Sequence, residues 1–477
     1  MPIALVRPRI SPRQAYELLG LLALVVVATV GVTETDIWGH IRFGLDTIAR
    51  HRLPATDPYS FTSEQPWVNH EWLSQVVFAL GFLCGGLPLL AVVRAGVAAV
   101  LACLLVRSLR NVPWLLRDAA LVVVLLTATL ALRAVRPQIF SIPLYALTLL
   151  GLTADAAWLP AVFLVWANLH GGWLIGIGAV AVRTLCAPSV RRLTVLAACA
   201  AATLVNPYGF RLWWSLAEAV NRGWSDVTEW QPVYGRSWHS DLAITWLFLA
   251  AATIWLLRRQ RSVELWRWIW TACVAVAAFR AGRHMPFFSI TAAMLVAGRI
   301  AAPKPARPEP QWSGSSLALA AGMTAGLCAA VFVLLQPTVT CLPRIYREIA
   351  PEAAAVQFIR EADLRGRVVM YFDWGLYAVW QVGDHFEVSI DNRRETVYPA
   401  EVVEAHHRFY GGLAPDYPDR LGANFVWVPP DLPAVRQLEQ RGWFVIYRGP
   451  RSVILSRTYT PTAFGTAPDA SPCFPDP

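Results

Sequence analysis

The chain has 477 residues, of which 56% are hydrophobic and 15% charged, and its mean hydropathy is +0.43. A soluble protein carries roughly 25% charged residues, so this sequence lacks the charge to coat the roughly three water-soluble domains its length would make. A cytosolic enzyme, a disordered chain and a disulfide-rich secreted scaffold are excluded, which leaves a polytopic membrane protein. The formal net charge of +9 is what basic cytoplasmic loops give such a protein, and no nucleic-acid partner is expected from it.

Apolar runs of about 17–25 residues are long enough to span a bilayer. The first, Tyr16 to Thr33, comes after Arg7, Arg9 and Arg13. It lacks a clean small-x-small cleavage site and many spans come after it, so it reads as a retained helix with a cytoplasmic N-terminus. Further spans are predicted near 87–106, 118–133, 138–154, 157–170, 171–185, 192–206, 241–257, 264–280, 286–300 and 314–336. The expected fold is an α-helical polytopic membrane protein of about 11 transmembrane helices, with the pair around Gly171-Gly172 either a hairpin or one broken helix. Arginines at 107, 110 and 117, at 183, 191 and 192, and at 258, 259, 261 and 267, then Arg299, Lys304 and Arg307, fall on alternate loops. An odd number of spans puts the tail after Pro337 outside the cytoplasm, in a multi-pass protein of the inner (plasma) membrane.

The outer loops break the charge rule with Arg42, Arg133, Arg136, Arg211, Arg280 and Arg283. An arginine at the centre of a lipid-facing helix costs about 2.5–3.5 kcal/mol on insertion scales. Arg280, Arg283 and His284 would share one helix face at i, i+3, i+4, and Arg133 and Arg136 stand at i, i+3. Snorkelling anchors are the plainer reading. Several clusters on one side favour a wet cavity there.

Beyond about Pro351 helix and strand signals alternate. Glu352–Glu361 looks helical, as do stretches near 399–410 and 431–440. Arg367–Tyr371, Phe386–Ile390, Asn424–Val428, Trp443–Tyr447 and Val453–Leu455 are β-rich. This predicts a small extracytoplasmic α/β domain over 341–460, after a membrane domain over 1–340 whose first outer loop is 34–71. Residues 461–477 read as a disordered tail. Six cysteines fall in apolar runs and suit buried packing. Cys341 and Cys473 are both predicted outside, so a disulfide between them is open. The sequence shows no CxxC metal spacing, no P-loop, no GxGxxG and no GxSxG, and His70-Glu71 lacks the second histidine of a zincin.

The first outer loop carries the candidate chemistry. Span one runs into Glu34-Thr35-Asp36-Ile37-Trp38-Gly39-His40-Ile41-Arg42, two carboxylates at the membrane surface that must be solvated or paired. An ordinary interfacial loop with Trp38 in the aromatic belt would also explain them. The loop ends in Trp67-Val68-Asn69-His70-Glu71-Trp72, where His70 and Glu71 open the next helix and the dipole alone would favour Glu71.

These residues resemble a family. A carboxylate just past the first span, an amphipathic outer loop, many spans and an outer α/β tail look like the GT-C superfamily of membrane glycosyltransferases. The likeness is closer to a bacterial branch of GT-C-like proteins. It rests on Asp36-Ile37-Trp38-Gly39-His40, Asn69-His70-Glu71-Trp72, Arg136-Pro137-Gln138, Trp166-Ala167-Asn168-Leu169-His170-Gly171-Gly172, Asn206-Pro207-Tyr208-Gly209, Glu229-Trp230-Gln231-Pro232 and Arg283-His284-Met285-Pro286, and it brings no substrate with it. A weaker likeness is to oligosaccharyltransferase catalytic subunits. There Asp36-Ile37-Trp38 resembles the metal-holding acidic motif, and Phe372-Asp373-Trp374-Gly375 with Ile390-Asp391-Asn392 resembles the acceptor-reading motif. The chain departs in having Tyr371-Phe372 for paired tryptophans, and Arg136-Pro137-Gln138 where a second acidic motif is due.

The resemblance implies inverting transfer of a sugar from a polyprenyl-phosphate donor, in contact with membrane lipid, to a glycan, lipid or protein acceptor. Asp36 is the expected base, with Glu34 in reserve. Arg133, Arg136, Arg280, Arg283 and His284 are the expected phosphate ligands, since guanidinium is planar and bidentate. His70, Glu71, His170, Gln231, Asp373 and Trp374 are further substrate-binding candidates, with Trp230 and Asn206 as sugar contacts. No cofactor is required for a monophosphate held by arginines. A pyrophosphate donor would call for a divalent metal, Mg or Mn, on Asp36, Glu34, His70 or Glu71. Two other readings stand beside the enzyme: a transporter or flippase for a lipid-linked saccharide, and a non-catalytic partner in envelope polysaccharide assembly.

Overall fold

The computed structural model describes residues 12–63, 65–221, 228–234, 240–260, 262–300, 341–343, 349–458 and 473–475, with four isolated residues between 322 and 333. The span expected at 314–336 and most of the tail end at 461–477 lie outside the described residues.

Apolar helices form where the hydropathy predicts spans. Helix α1 covers Pro12–Ala28, α3 Trp72–Ser108, α4 Trp114–Arg133 and α5 Gln138–Thr153. Then come α6 at Leu159–Leu169, α7 at Trp173–Cys186, α8 at Val190–Ala202, α9 at Arg211–Asn221, which lies where no span was expected, α10 at Ser240–Arg258 and α11 at Leu265–Arg280. Helix α12, Met285–Thr291, loosens into a π turn over Ala292–Val296. By length and composition Trp72–Ser108 and Asp241–Arg258 could each cross a membrane. Leu83, Val92, Leu126, Leu185, Ile244 and Phe248 are each more than half exposed on the outer helix faces, an apolar surface that suits lipid better than water. Inside, Leu101, Leu125, Tyr145, Leu149, Phe163, Trp166 and Ile290 fill one buried cluster.

Three helix irregularities set the shape of the bundle. Helix α3 starts well before the span expected at 87 and bends at Gly85-Gly86, where Gly86 holds φ 58°, a region L side chains rarely enter. Helices α6 and α7 have 11 and 14 residues. At 1.5 Å per residue they reach roughly 17 and 21 Å, short of an apolar layer of about 30 Å. Between them His170 is extended (φ −167°, ψ 145°), so the chain breaks at Gly171-Gly172. Helix α11 stops at Arg280, Ala281 is extended, and Gly282–His284 form a separate 3-10 turn. Arg280 therefore does not share a helix face with Arg283 and His284, contrary to the periodicity argument.

The first outer loop folds as helix α2, Ile37–Arg50, with Asp36 at its N-cap position and His51 closing it in the left-handed region. Its buried face of Ile37, Trp38, Ile41 and Phe43 belongs to the same cluster as Val368, Trp374, Tyr377 and Ile390 of the tail.

The tail is a five-stranded sheet close to the predicted strands: β2 Gly366–Met370, β3 Phe386–Val388, β4 Phe425–Val428, β5 Phe444–Arg448 and β6 Val453–Ser456. Their order is β3-β2-β4-β6-β5, parallel from β3 through β4 and antiparallel beyond. Helices α13 (Ala353–Glu361), α14 (Gly375–Val382), α15 (Arg394–Val397), α16 (Ala400–Tyr410), α17 (Tyr417–Arg420) and α18 (Pro433–Gln440) connect them. The free edge of β3 is covered by the first loop, whose Tyr59 carbonyl and Phe61 amide bond both backbone groups of Val388 at 3.1 and 3.2 Å. Capping an edge this way removes a row of unpaired polar groups. Sheet and loop are thus packed together through one core. Cys341 is disulfide-bonded, and strand β1, Leu342–Pro343, pairs with β7, Cys473–Phe474, which brings the segments of the two cysteines expected outside side by side.

Candidate functional site

A cavity of about 360 Å³ lies where the start of α2, the start of α3, the α6–α7 break, the turn after α11 and the tail converge. Two ionic clusters face it.

The first is centred on Arg136, in the short link between α4 and α5. Its Nε meets Glu34 at 2.5 Å, Nη2 meets Asp36 at 2.6 Å and Nη1 meets Glu229 at 3.0 Å. Burial opposes charge on this guanidinium, but the three carboxylates outweigh it and hold its pKa well above the usual value. Glu229 reaches on to Arg283 Nη1 at 3.2 Å, and Arg283 lies over the Trp230 ring at 4.4 Å. Burial pushes Glu229 up, yet Arg136 and Arg283 outweigh it and keep the carboxyl below its ordinary range. Burial wins at Glu34, whose pKa is raised.

The second cluster surrounds Glu71. Hydrogen bonds from Trp72 Nε1 to Asn168 Oδ1 (3.1 Å) and from Ser74 Oγ to the Leu169 carbonyl (2.6 Å) fasten the first turn of α3 to the end of α6. Glu71 is thereby set against the α6–α7 break. His70 Nε2 and His170 Nε2 face its Oε1 at 3.6 and 3.7 Å, and His40 Nδ1 faces its Oε2 at 4.0 Å. Burial raises the Glu71 pKa. Burial and Arg283 push His70 down to about 4, and burial lowers His40 as well. Both imidazoles are neutral at pH 7.

The tautomer of His170 is set by its neighbours. Its Nδ1 accepts the Gly172 amide at 3.0 Å and lies 2.7 Å from Ser141 Oγ. That oxygen in turn accepts the Trp166 indole N–H at 2.7 Å. Nδ1 is then an acceptor, and the ring proton sits on Nε2, pointing at Glu71.

A third network ties the tail to the cavity wall. Arg393 donates to Asp57 from Nη1 and Nη2 at 2.6 and 3.0 Å, and to Asp391 from Nη2 and Nε at 2.6 and 3.0 Å. Its guanidinium lies 4.7 Å from the Phe43 ring and 4.8 Å from the Trp67 ring. Asp57 also accepts the Tyr59 and Ser60 amides. Asn392, Arg393 and Thr396 bring the tail into the cavity lining.

Of the residues singled out from sequence, Asp36, His70, Glu71, Arg136, His170, Arg283 and His284 line this cavity, and Glu34 joins it through Arg136. Most of the others are elsewhere. Arg133 donates from Nε to the Val30 carbonyl at 3.0 Å and its own carbonyl accepts from Arg94, so it fastens α4 to the end of span one. Arg280 is exposed at the end of α11. The Gln231 carbonyl accepts the Gly282 amide at 3.2 Å, which fixes the turn that carries Arg283. Trp374 is 2% exposed within the core shared by loop and tail. Asp373 is half-buried and bonded to Asn392, with its pKa raised by desolvation. Asn206 bonds the Tyr208 amide and the Thr203 carbonyl in its own turn, while Trp230 does reach the cavity.

Sequence reasoning passed over His40 as a site residue, along with Asp57, Asn392, Arg393 and the buried Arg94. For His40 a signal was present: it stands one helical turn after Asp36. Among the described residues no group of three or more His, Cys, Asp or Glu side chains is placed to hold a metal ion.

No protein-family model matches the chain, and no curated protein matches it in sequence. Solved structures do match in fold. The oligosaccharyltransferase of Archaeoglobus fulgidus in its apo form aligns with 94% of this chain and 75% of its own, at TM-score 0.50 and 12% identity. The arabinofuranosyltransferase AftD from Mycobacteria aligns with 95% of this chain and 40% of its own, at TM-score 0.50 and 14% identity. ArnT from Cupriavidus metallidurans bound to undecaprenyl phosphate covers 94% and 98% at 14% identity, with a TM-score of 0.49. At such low identity these likenesses show a shared fold.

Proposed function

From this GT-C fold we propose that the chain is a membrane glycosyltransferase. It moves a sugar from a polyprenyl-phosphate-linked donor to an acceptor on the extracytoplasmic side of the inner membrane, with inversion. The protein crosses the membrane about 11 times, its N-terminus is cytoplasmic, and its tail forms an outer domain. The observation that carries the reading is a single cavity in which Asp36 stands 2.6 Å from Arg136, with Arg283 on the same wall and the tail closing one side.

In this scheme Arg136 and Arg283 take the donor phosphate, where positive charge stabilises the leaving group as the glycosidic bond breaks. The acceptor hydroxyl attacks the anomeric carbon from the opposite face, and Asp36 takes its proton. Glu229, shared by both arginines, sets their spacing. Trp230 offers a face for the sugar ring. A monophosphate leaving group held by guanidinium needs no divalent ion. Asn392, Arg393 and Thr396 place the tail where an acceptor enters.

The test is transfer of radiolabelled sugar from a panel of polyprenyl-phosphate donors by the purified protein, beside Asp36→Asn and with EDTA. Donor-dependent transfer that survives EDTA and is lost in Asp36→Asn is expected. Absence of turnover, with polyprenyl phosphate binding that depends on Arg136 and Arg283, would replace the enzyme with a carrier of lipid-linked saccharide.

A further inference from the structure

The glycosyltransferase reading, on which this inference rests, leaves a proton on Asp36 at every turnover. A proton kept there would neutralise the partner that Arg136 holds at 2.6 Å, and the next cycle needs the carboxylate back. The cavity contains a second carboxylate that is not engaged by an arginine in this way. Glu71 is half-buried, and it is faced by three imidazoles at 3.6–4.0 Å.

His40 lies within electrostatic reach of both acids. It lies four residues after Asp36 along α2, hence on the same face. Its backbone amide bonds the Asp36 carbonyl at 2.9 Å, and its Nδ1 points at Glu71. The residue is 9% exposed, and its buried Nδ1 has no hydrogen-bond partner. Both Asp36 and Glu71 act electrostatically on this ring.

We propose that His40 and Glu71 form a proton relay that clears Asp36 after each transfer. The acceptor O–H bond breaks as its oxygen bonds the anomeric carbon, and the bond from that carbon to the phosphate oxygen breaks with its electron pair going to the phosphate. The proton lands on Asp36. His40 takes it on one ring nitrogen and releases its other ring proton from Nδ1 to Glu71 Oε2, which loses it to solvent. The 4.0 Å gap closes by about 1 Å when substrate fills the cavity, as proton-transfer contacts in empty sites often must. The groups facing Glu71 are Asp36 and His40 from α2, His70 beside it, His170 from the α6–α7 break, Arg136 from the α4–α5 link and Arg283 from the turn after α11. The histidines are neutral, so Glu71 is the place where a proton rests.

The assay is the pH profile of sugar transfer by the full chain, with whichever polyprenyl-phosphate sugar supports wild-type turnover. Glu71→Gln should lower kcat by roughly 10²-fold or more at unchanged KM and remove the acid limb of the profile. His40→Ala should lose kcat comparably and regain rate with free imidazole, whereas His70→Gln should keep the wild-type acid limb. No sugar transfer by the wild type would sink the glycosyltransferase reading itself, and an Asp36→Asn enzyme that still transfers sugar would remove Asp36 as the base and the relay with it. Loss of transfer in Asp36→Asn, with wild-type rate and profile in both relay variants, would overturn the relay alone. Infrared titration of the Glu71 carboxyl band needs no donor. Its midpoint should move in His40→Ala and in Asp36→Asn, and a midpoint unmoved in both overturns the proposal.

Discussion

Arg393→Met should uncouple the first outer loop from the tail, and the effect should depend on pH in a defined way. In the wild type one guanidinium, 8% exposed, is the shared counter-ion of Asp57 and Asp391, whose side chains are fully buried. Methionine keeps contact with Phe43 and Trp67 but leaves two adjacent carboxylates without a counter-charge. Breaking a buried pair in this way costs about 3–5 kcal/mol if both stay ionised. Protonating either one at pH 7, from a reference pKa near 3.9, costs about 4 kcal/mol, so a loss of about 4 kcal/mol is expected by the cheaper route. At pH 5 the same protonation costs only about 1.5 kcal/mol, and most of the deficit should vanish. Thermal unfolding of purified wild type and variant in detergent, each at pH 7 and pH 5, reads this out. The triple variant with Asp57→Asn and Asp391→Asn should recover part of the loss at pH 7. A variant as stable as wild type at pH 7, or a deficit equal at both pH values, would refute the reasoning.

Other consequences are open to the same preparation. Arg136→Lys cannot reach Glu34, Asp36 and Glu229 together, so sugar transfer should fall at least tenfold while the protein still folds; unchanged kcat would remove Arg136 from the site. His406 is buried, its Nε2 lies 2.8 Å from Ser389 Oγ, and burial lowers its pKa to about 4. Its contribution to stability is complete above its unfolded value near 6.5 and is lost as pH falls toward 4, at roughly 1.4 kcal/mol per pH unit. His406→Phe should flatten part of the acid slope of the thermal midpoint, and an unchanged slope would argue against it. Gly86→Ala forces a side chain onto φ 58° at a cost of about 1–2 kcal/mol, measurable as a lower thermal midpoint, while Gly96→Ala, with open space around it, should be neutral or stabilising.

The helices of the membrane half and the strands of the tail were legible because each is fixed by local pattern. An apolar run long enough to bury its backbone must become a helix, and Phe425–Val428 or Val453–Ser456 are β-rich runs bounded by turn residues. The first-loop acids and Arg136 were legible as charges in places where charge is expensive. Where periodicity was pushed further it failed: Arg280, Arg283 and His284 fit one helix face on paper, but the helix ends at Arg280 and Ala281 is extended. Arg133 had the same charge and the same expected side of the membrane as Arg136, yet it spends its Nε on the Val30 carbonyl.

The sequence by itself determined that the chain belongs in a membrane, that its tail is an α/β sheet, and which outer residues are too polar for lipid. Only the tertiary structure decided which of them meet. His40 is one more residue on an amphipathic helix until α2 packs beside the first turn of α3 and turns it toward Glu71. Arg393 is an ordinary loop arginine until the tail closes over Asp57. Secondary structure arises from interactions a few residues apart, which the sequence displays directly. A site built from residues 36, 71, 136, 170, 229, 283 and 393 depends on contacts between distant segments, and those are set by how the helices and the sheet pack together.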